Sequence, residues 1–161
     1  MKKLDNSREK FMHVNVDNAS FQMELDEYVD KSDLISLTNK FINKSRRFMC
    51  VTRPRRFGKS VTVKMLNAYY SRGCDSKALF SDLKIASTTD FERHLNQHDV
   101  IYLDMTEFAD NEENGNKYLE NLNTGTVSEL KDTYPECFDK EKNYSLPEAI
   151  RCLKKRFRLA C

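Results

Sequence analysis

Residues 47–66 read Arg47-Phe48-Met49-Cys50-Val51-Thr52-Arg53-Pro54-Arg55-Arg56-Phe57-Gly58-Lys59-Ser60-Val61-Thr62-Val63-Lys64-Met65-Leu66, and the fold class turns on them. The first six are mostly apolar and bounded by charge, which predicts a short buried strand. Pro54 biases Arg53 away from helical backbone, so 53–60 reads as a loop. From Val61 the apolar positions Val61, Met65, Leu66, Tyr69 and Tyr70 recur at helical spacing, and Gly73 offers a natural C-cap.

The flanks extend that pattern. Upstream, Leu34, Ile35, Leu37, Phe41 and Ile42 predict an amphipathic helix with Asp30 or Ser32 as N-cap. Residues 1–20 show no periodicity and read as a loose lead-in to a domain over 21–161. Downstream, Thr89-Asp90-Phe91-Glu92 has the spacing of a capping box and predicts a short helix. Val100-Ile101-Tyr102-Leu103-Asp104-Met105 predicts a second buried strand, and the acidic stretch 107–116 a loop. A helix is expected within 117–134 and ends before Pro135. Ser145-Leu146-Pro147-Glu148 is another capping box, opening a helix with Ile150, Leu153 and Phe157 on one face. Strands alternating with helices predict an α/β fold with parallel strands.

Length and composition narrow the function. The chain has 161 residues, enough for one domain of ordinary size. No apolar run approaches the roughly 20 residues of a bilayer span. The N-terminus lacks the apolar segment of a secretory signal. The five cysteines form no C-x-x-C, so they read as reduced thiols of a cytoplasmic protein rather than zinc ligands. The net charge is only +2, yet Leu34 to Cys74 holds ten Lys or Arg and no Asp or Glu. A basic segment inside an otherwise acidic chain suggests an anion-binding surface.

The loop carries the chemistry. The phosphate-binding Walker A pattern is G-x-x-x-x-G-K-[ST] between a strand and a helix. Gly58, Lys59 and Ser60 match it, and Arg53 stands where the first glycine would be. Phosphate oxygens need several donors converging on one point. A loop winding into a helix N-terminus supplies backbone N–H groups and the positive end of the helix dipole. Gly58 permits close approach, Lys59 can reach the β- and γ-phosphates, and the Ser60 hydroxyl can ligate Mg²⁺. Phe57 and Val61 flank this centre, while Arg53, Arg55 and Arg56 suit bidentate phosphate contact. The loop by itself therefore predicts a nucleotide or phosphate ligand with Mg²⁺. The bland alternative is an ordinary strand-to-helix turn containing a glycine.

The stretch Tyr28-Val29-Asp30-Lys31-Ser32-Asp33-Leu34-Ile35, followed by Cys50 to Ser60 and by Met65-Leu66, resembles the predicted AAA-ATPase-like family. That family has an atypical Walker A of the form T-R-P-R-R-F-G-K-[ST], arginine included. Leu79-Phe80 with Leu83-Lys84-Ile85, and the strand at 100–104, resemble its next elements. The resemblance covers about 21–157. It implies a three-layer P-loop NTPase sandwich with parallel strands that binds ATP with Mg²⁺, of which this chain carries the N-terminal portion and stops before the Walker B strand.

Two acidic residues stay open. Asp104 ends an apolar strand as a Walker B aspartate would, and Glu107 could polarise water. The resemblance instead makes Asp104 a strand-end residue near the site. With no clear second acidic element, hydrolysis by this chain alone is not expected. Two competing readings are a non-catalytic remnant and a basic nucleic-acid-binding module using 44–64. A nucleic-acid partner would lean on that patch or on a further C-terminal domain. Unpaired strands would favour low stability and self-association. His94 and His98, at i, i+4, read as a surface helix pair, and Tyr69 and Tyr70 as core.

Overall fold

The computed structural model describes residues 12–45, 47–103, 115–139 and 141–157. Their elements are β1 (Met12–Val14), α1 (Ala19–Gln22), α2 (Asp33–Asn39), α3 (Lys59–Tyr70), α4 (Lys77–Phe80), α5 (Phe91–His94), β2 (Ile101–Leu103), α6 (Gly115–Thr133) and α7 (Leu146–Phe157). Single 3₁₀ turns lie at Leu25–Glu27, Lys84–Ser87 and Pro135–Cys137. The chain divides into two compact units, one built from Val14–Val100 and one from Ile101–Leu159 with the segment ending at His13.

The first unit is organised around α3. Met65, Ala68 and Tyr69 fall three and four residues apart, so they share one face, and all three are fully buried. They meet Phe21 of α1, Ile35 of α2, Phe80 of α4, Phe91 of α5, and Ile85 and Leu95. Aromatic rings fill much of this core. Phe21 stacks on Phe80 at 5.3 Å, and Tyr69 meets Phe80 edge-on at 5.4 Å. The buried hydroxyls are satisfied: Tyr69 Oη donates to the Phe91 carbonyl at 2.6 Å, and Tyr70 Oη to Asn39 Oδ1 at 2.7 Å. Burial pushes both phenols up from their ordinary pKa.

The predicted α/β sandwich is not what forms. Among the described residues, regular β-structure is limited to the two-stranded sheet of β1 with β2 and one isolated parallel bridge, Ser71 with His98. Residues 47–52, read as a buried strand, adopt no strand and are exposed, Phe48 by 88 %. The reason is physical. An inner parallel strand needs a hydrogen-bonded neighbour on each edge and a covered surface on each face. The described residues offer 47–52 neither, so apolar composition alone does not order it. Asp104 and the 107–116 stretch lie outside the described residues.

The helices follow the periodicity more closely. α2 starts at Asp33 after Ser32, but Ser32 Oγ leaves its own helix uncapped and accepts the Ile85 N–H at 3.1 Å. Asp30 braces the same corner, its Oδ1 accepting from Ser32 N–H and its Oδ2 from Lys84 N–H, both at 2.8 Å. The capping box expected at Thr89 does not close. Helix α5 begins after Asp90 without a side-chain cap, and the Glu92 carboxylate pairs with Lys77 instead.

Asn96 closes the far end of α3. Its Nδ2 donates to the carbonyls of Ala68 and Ser71 at 3.1 and 2.7 Å, and its Oδ1 accepts from Ser76 N–H at 2.9 Å. Its φ is +55°, a left-handed conformation that asparagine tolerates better than most residues. Asn96→Ala strands the Ser76 N–H, leaves the Ala68 and Ser71 carbonyls only the weak Cys74 thiol as side-chain donor, and strains that turn, so a loss of about 2 kcal/mol is expected. A urea midpoint shift of that size checks it, and an unshifted midpoint refutes it.

His94 and His98 stack at 5.2 Å, with Nδ1 of one 3.0 Å from Nε2 of the other. Such a bond needs one donor and one acceptor, so at least one ring is neutral. Burial lowers both pKa values, helped by Arg93 at His94 and by the neighbouring His94 and Arg72 at His98, against the opposing pull of Asp90 and Asp99. The unfolded chain, with histidines near about 6.5, then binds more protons than the folded one below that pH. The pair's contribution is whole above about pH 6.5 and is lost as pH falls through the lowered folded values. Denaturation at pH 7.5 and 5.5 is expected to show a lower midpoint at 5.5, with a smaller drop in His98→Gln. Equal drops in both proteins would contradict this.

The second unit is a helical pair. Helices α6 and α7 contact each other and the turn at Pro135–Cys137, and Val127, Leu130, Phe138, Ala149 and Leu153 are buried. The capping box at 145–148 does form on its glutamate side: Glu148 Oε2 accepts from Ser145 N–H at 2.9 Å and from its hydroxyl at 2.8 Å. Those two bonds hold the Glu148 carboxyl below its ordinary pKa.

Candidate functional site

The loop feeding α3 belongs to the first unit. Gly58 is the N-cap of α3, at φ +72° and ψ +30°. A side chain in that left-handed region costs about 1–2 kcal/mol, which glycine avoids. Arg56 is also left-handed, at φ +67°, so two such residues flank Phe57. Left-handed residues beside right-handed ones turn successive N–H groups to one side and make an anion-binding concavity. Lys59 and Ser60 open α3, where N–H groups have no intrahelical acceptor, and no side chain caps them.

Two ammonium groups hold the loop by its carbonyls. Lys59 Nζ folds back to donate to Arg53 O at 2.6 Å and Pro54 O at 3.1 Å. Lys31 Nζ donates to Phe57 O at 3.0 Å. The Gly58 carbonyl is taken by Thr62, through its N–H and its hydroxyl, each at 2.9 Å. Carbonyls are thereby engaged by cations or by α3, and the first-turn N–H groups remain available. An arriving phosphate would offer Lys59 charged acceptors in place of neutral carbonyls, a stronger kind of hydrogen bond.

The predicted residues separate within this frame. Arg53, Arg55, Arg56, Phe57, Lys59 and Ser60 are exposed, and Gly58 is half-buried. Among the described residues none of the three arginines is in an ion pair. Val61 turns inward and packs against the core. Asp104 and Glu107 lie outside the described residues, so the second acidic element has no geometry here. For magnesium, the described residues contain no group of three His, Cys, Asp or Glu that could hold an ion. The donor set fits a nucleotide-borne Mg²⁺, with one oxygen from Ser60 and the rest from phosphates and water.

Sequence reasoning assigned Lys31 no role. Tyr28 Oη accepts the Lys31 N–H at 3.0 Å and donates to Met65 Sδ at 2.8 Å. Asp30 and Ser32 tie the same segment to Lys84 and Ile85. Tyr28–Ser32 is thus a pinned strap that presents Lys31 to the loop. The only signal in the sequence was the Tyr28-Val29-Asp30-Lys31-Ser32 motif itself.

A glycine-hinged, lysine-bearing loop thus leads into the uncapped N-terminus of α3. A family profile described as Predicted AAA-ATPase matches residues 17–159, and the chain belongs to that family. No curated protein matches the chain, and no solved structure does. No helix among the described residues is long and apolar enough to cross a membrane.

Proposed function

We propose that residues 53–60 bind the phosphates of ATP together with Mg²⁺, as the nucleotide-binding element of an ATPase. The observation that carries this reading is Lys59. Its ammonium lies over the loop on two backbone carbonyls, at the uncapped N-terminus of a 12-residue helix. In the bound state Lys59 would hold the β- and γ-phosphates. The N–H groups of Gly58, Lys59 and Ser60 would receive phosphate oxygens, and Ser60 Oγ would ligate the metal. Mg²⁺, when present, supplies charge neutralisation of the phosphates. Membership of the predicted AAA-ATPase family supports the reading.

The exposed arginines of the loop, none of them in an ion pair among the described residues, favour one rival, contact with nucleic acid through the 44–64 patch. Two titrations separate them. A fluorescent ATP analogue is expected to bind saturably, to need Mg²⁺ for full affinity, and to be displaced by unlabelled ATP. An oligonucleotide binder would instead lose affinity steeply with salt, in proportion to the phosphates contacted. Oligonucleotide binding that ATP does not displace, with no analogue binding by folded protein, would overturn the proposal.

A further inference from the structure

Lys31 lies far from the loop in sequence and against it in space. Its Nζ donates to the Phe57 carbonyl at 3.0 Å, and a Cβ on Gly58 would stand 2.9 Å from the same ammonium. The backbone that bears Lys31 is tied at both of its own polar groups. Its N–H donates to Tyr28 Oη and its carbonyl accepts from Leu34 N–H, each at 3.0 Å. The next residue, Ser32, is fully buried and accepts from Ile85 N–H. The neighbouring carboxylates are engaged elsewhere. Asp30 accepts from the N–H groups of Ser32 and Lys84, and Asp33 pairs with the Lys84 ammonium at 3.6 Å. Among the described residues Lys31 is in no ion pair, so its ammonium is left to the loop.

We infer that Lys31 is a positioning residue that fixes the Phe57–Gly58 peptide and with it the direction in which the Gly58 N–H is offered to phosphate, an inference that rests on the phosphate-loop reading. In a trans peptide the carbonyl and the following N–H point to opposite sides, and no described peptide is cis. Holding the Phe57 carbonyl against Lys31 therefore turns the Gly58 N–H away from the strap. The loop needs such a hold. Arg56 lies at φ +67°, where a residue with a Cβ is strained, and strain of that kind persists only where the surroundings enforce it. On the phosphate-loop reading Lys59 leaves the Arg53 and Pro54 carbonyls for phosphate. Among the described residues Lys31 is then the one side chain still bonded to a carbonyl of 53–57. One lysine meets the ligand, and the other keeps the loop in shape.

Lys31→Met keeps a straight side chain of similar length and removes the donor. Lys31 is exposed, so the full-length variant is expected to stay folded, as surface variants generally do. In the absence of ligand, the Phe57 carbonyl-carbon and Gly58 amide resonances of the labelled variant are expected to move. Lys64→Met, the same change of charge away from the loop, is expected to leave both resonances near wild type. ATP and inorganic tripolyphosphate, the phosphate chain without the nucleoside, are each titrated with Mg²⁺. Both are expected to bind Lys31→Met at least about fivefold more weakly, the equivalent of about 1 kcal/mol for one hydrogen bond. Phe57 and Gly58 resonances that stay in place in Lys31→Met, or undiminished affinity, would overturn the inference while leaving the phosphate loop standing. An equal loss in Lys64→Met would do the same, because net charge would then account for it. Folded wild-type protein that binds neither ligand would defeat the phosphate-loop reading itself, and the role of Lys31 with it.

Discussion

Tyr69→Ala is expected to abolish or sharply weaken the cooperative unfolding of the first unit. Tyr69 is fully buried near the end of α3, with Phe80 and Phe91 against its ring. Removing a buried aromatic side chain costs about 3–5 kcal/mol, because the lost contacts leave a cavity that relaxes only in part. A whole domain has about 5–15 kcal/mol to lose. The variant also strands the Phe91 carbonyl, which now accepts from Tyr69 Oη. Tyr69→Phe keeps the ring and loses that bond and the longer one that Asn39 Nδ2 donates to the hydroxyl at 3.4 Å, at a cost of about 1–2 kcal/mol. Urea denaturation followed by circular dichroism checks the order: wild type, then Tyr69→Phe, then Tyr69→Ala. A Tyr69→Ala midpoint close to wild type would mean that α3 is not the centre of this core.

Lys59→Ala is expected to weaken ATP binding roughly 10- to 150-fold, the equivalent of about 1.5–3 kcal/mol for a charge-assisted contact. The same substitution removes only exposed hydrogen bonds to Arg53 and Pro54. Stability is therefore expected to stay within about 0.5 kcal/mol of wild type, as for surface changes generally. Lys64→Ala is the control. Lys64 has equal charge and lies on the same helix, but its ammonium pairs with Glu24 rather than with the loop. Full loss with Lys59→Ala and little with Lys64→Ala assigns the effect to the loop's geometry. Equal losses would reduce it to net charge.

These expectations rest on the parts of the sequence that carry local information. Helix α3 was legible because Val61, Met65, Leu66 and Tyr69 repeat at its own period, and periodicity is a property of the segment. The turn into α3 was legible for the same reason: Gly58 sits at its N-cap in the left-handed conformation and Lys59 opens the helix. The strand at 47–52 was misread because a strand's stability lies in its neighbours. Phe48 to Thr52 has the composition of a buried strand, yet among the described residues no hydrogen-bonding partner lies alongside it. The expected three-layer sheet fell with it. Asn96 was invisible because its partners are backbone groups of residues 68, 71 and 76, and nothing in an isolated asparagine announces them. The Thr89 capping box failed through a distant competitor, Lys77, which took Glu92. The Glu148 box succeeded where Ser145 is the partner.

If the backbone opening α3 holds phosphate, its amides sense the ligand directly, and amide NMR reads them. Titration of ¹⁵N-labelled protein with ATP and Mg²⁺ is expected to move the Gly58, Lys59 and Ser60 amides furthest, saturably, with tripolyphosphate moving the same three. Amides that stay fixed while the rest of the spectrum shows a folded protein, or shifts that centre elsewhere, would contradict the account.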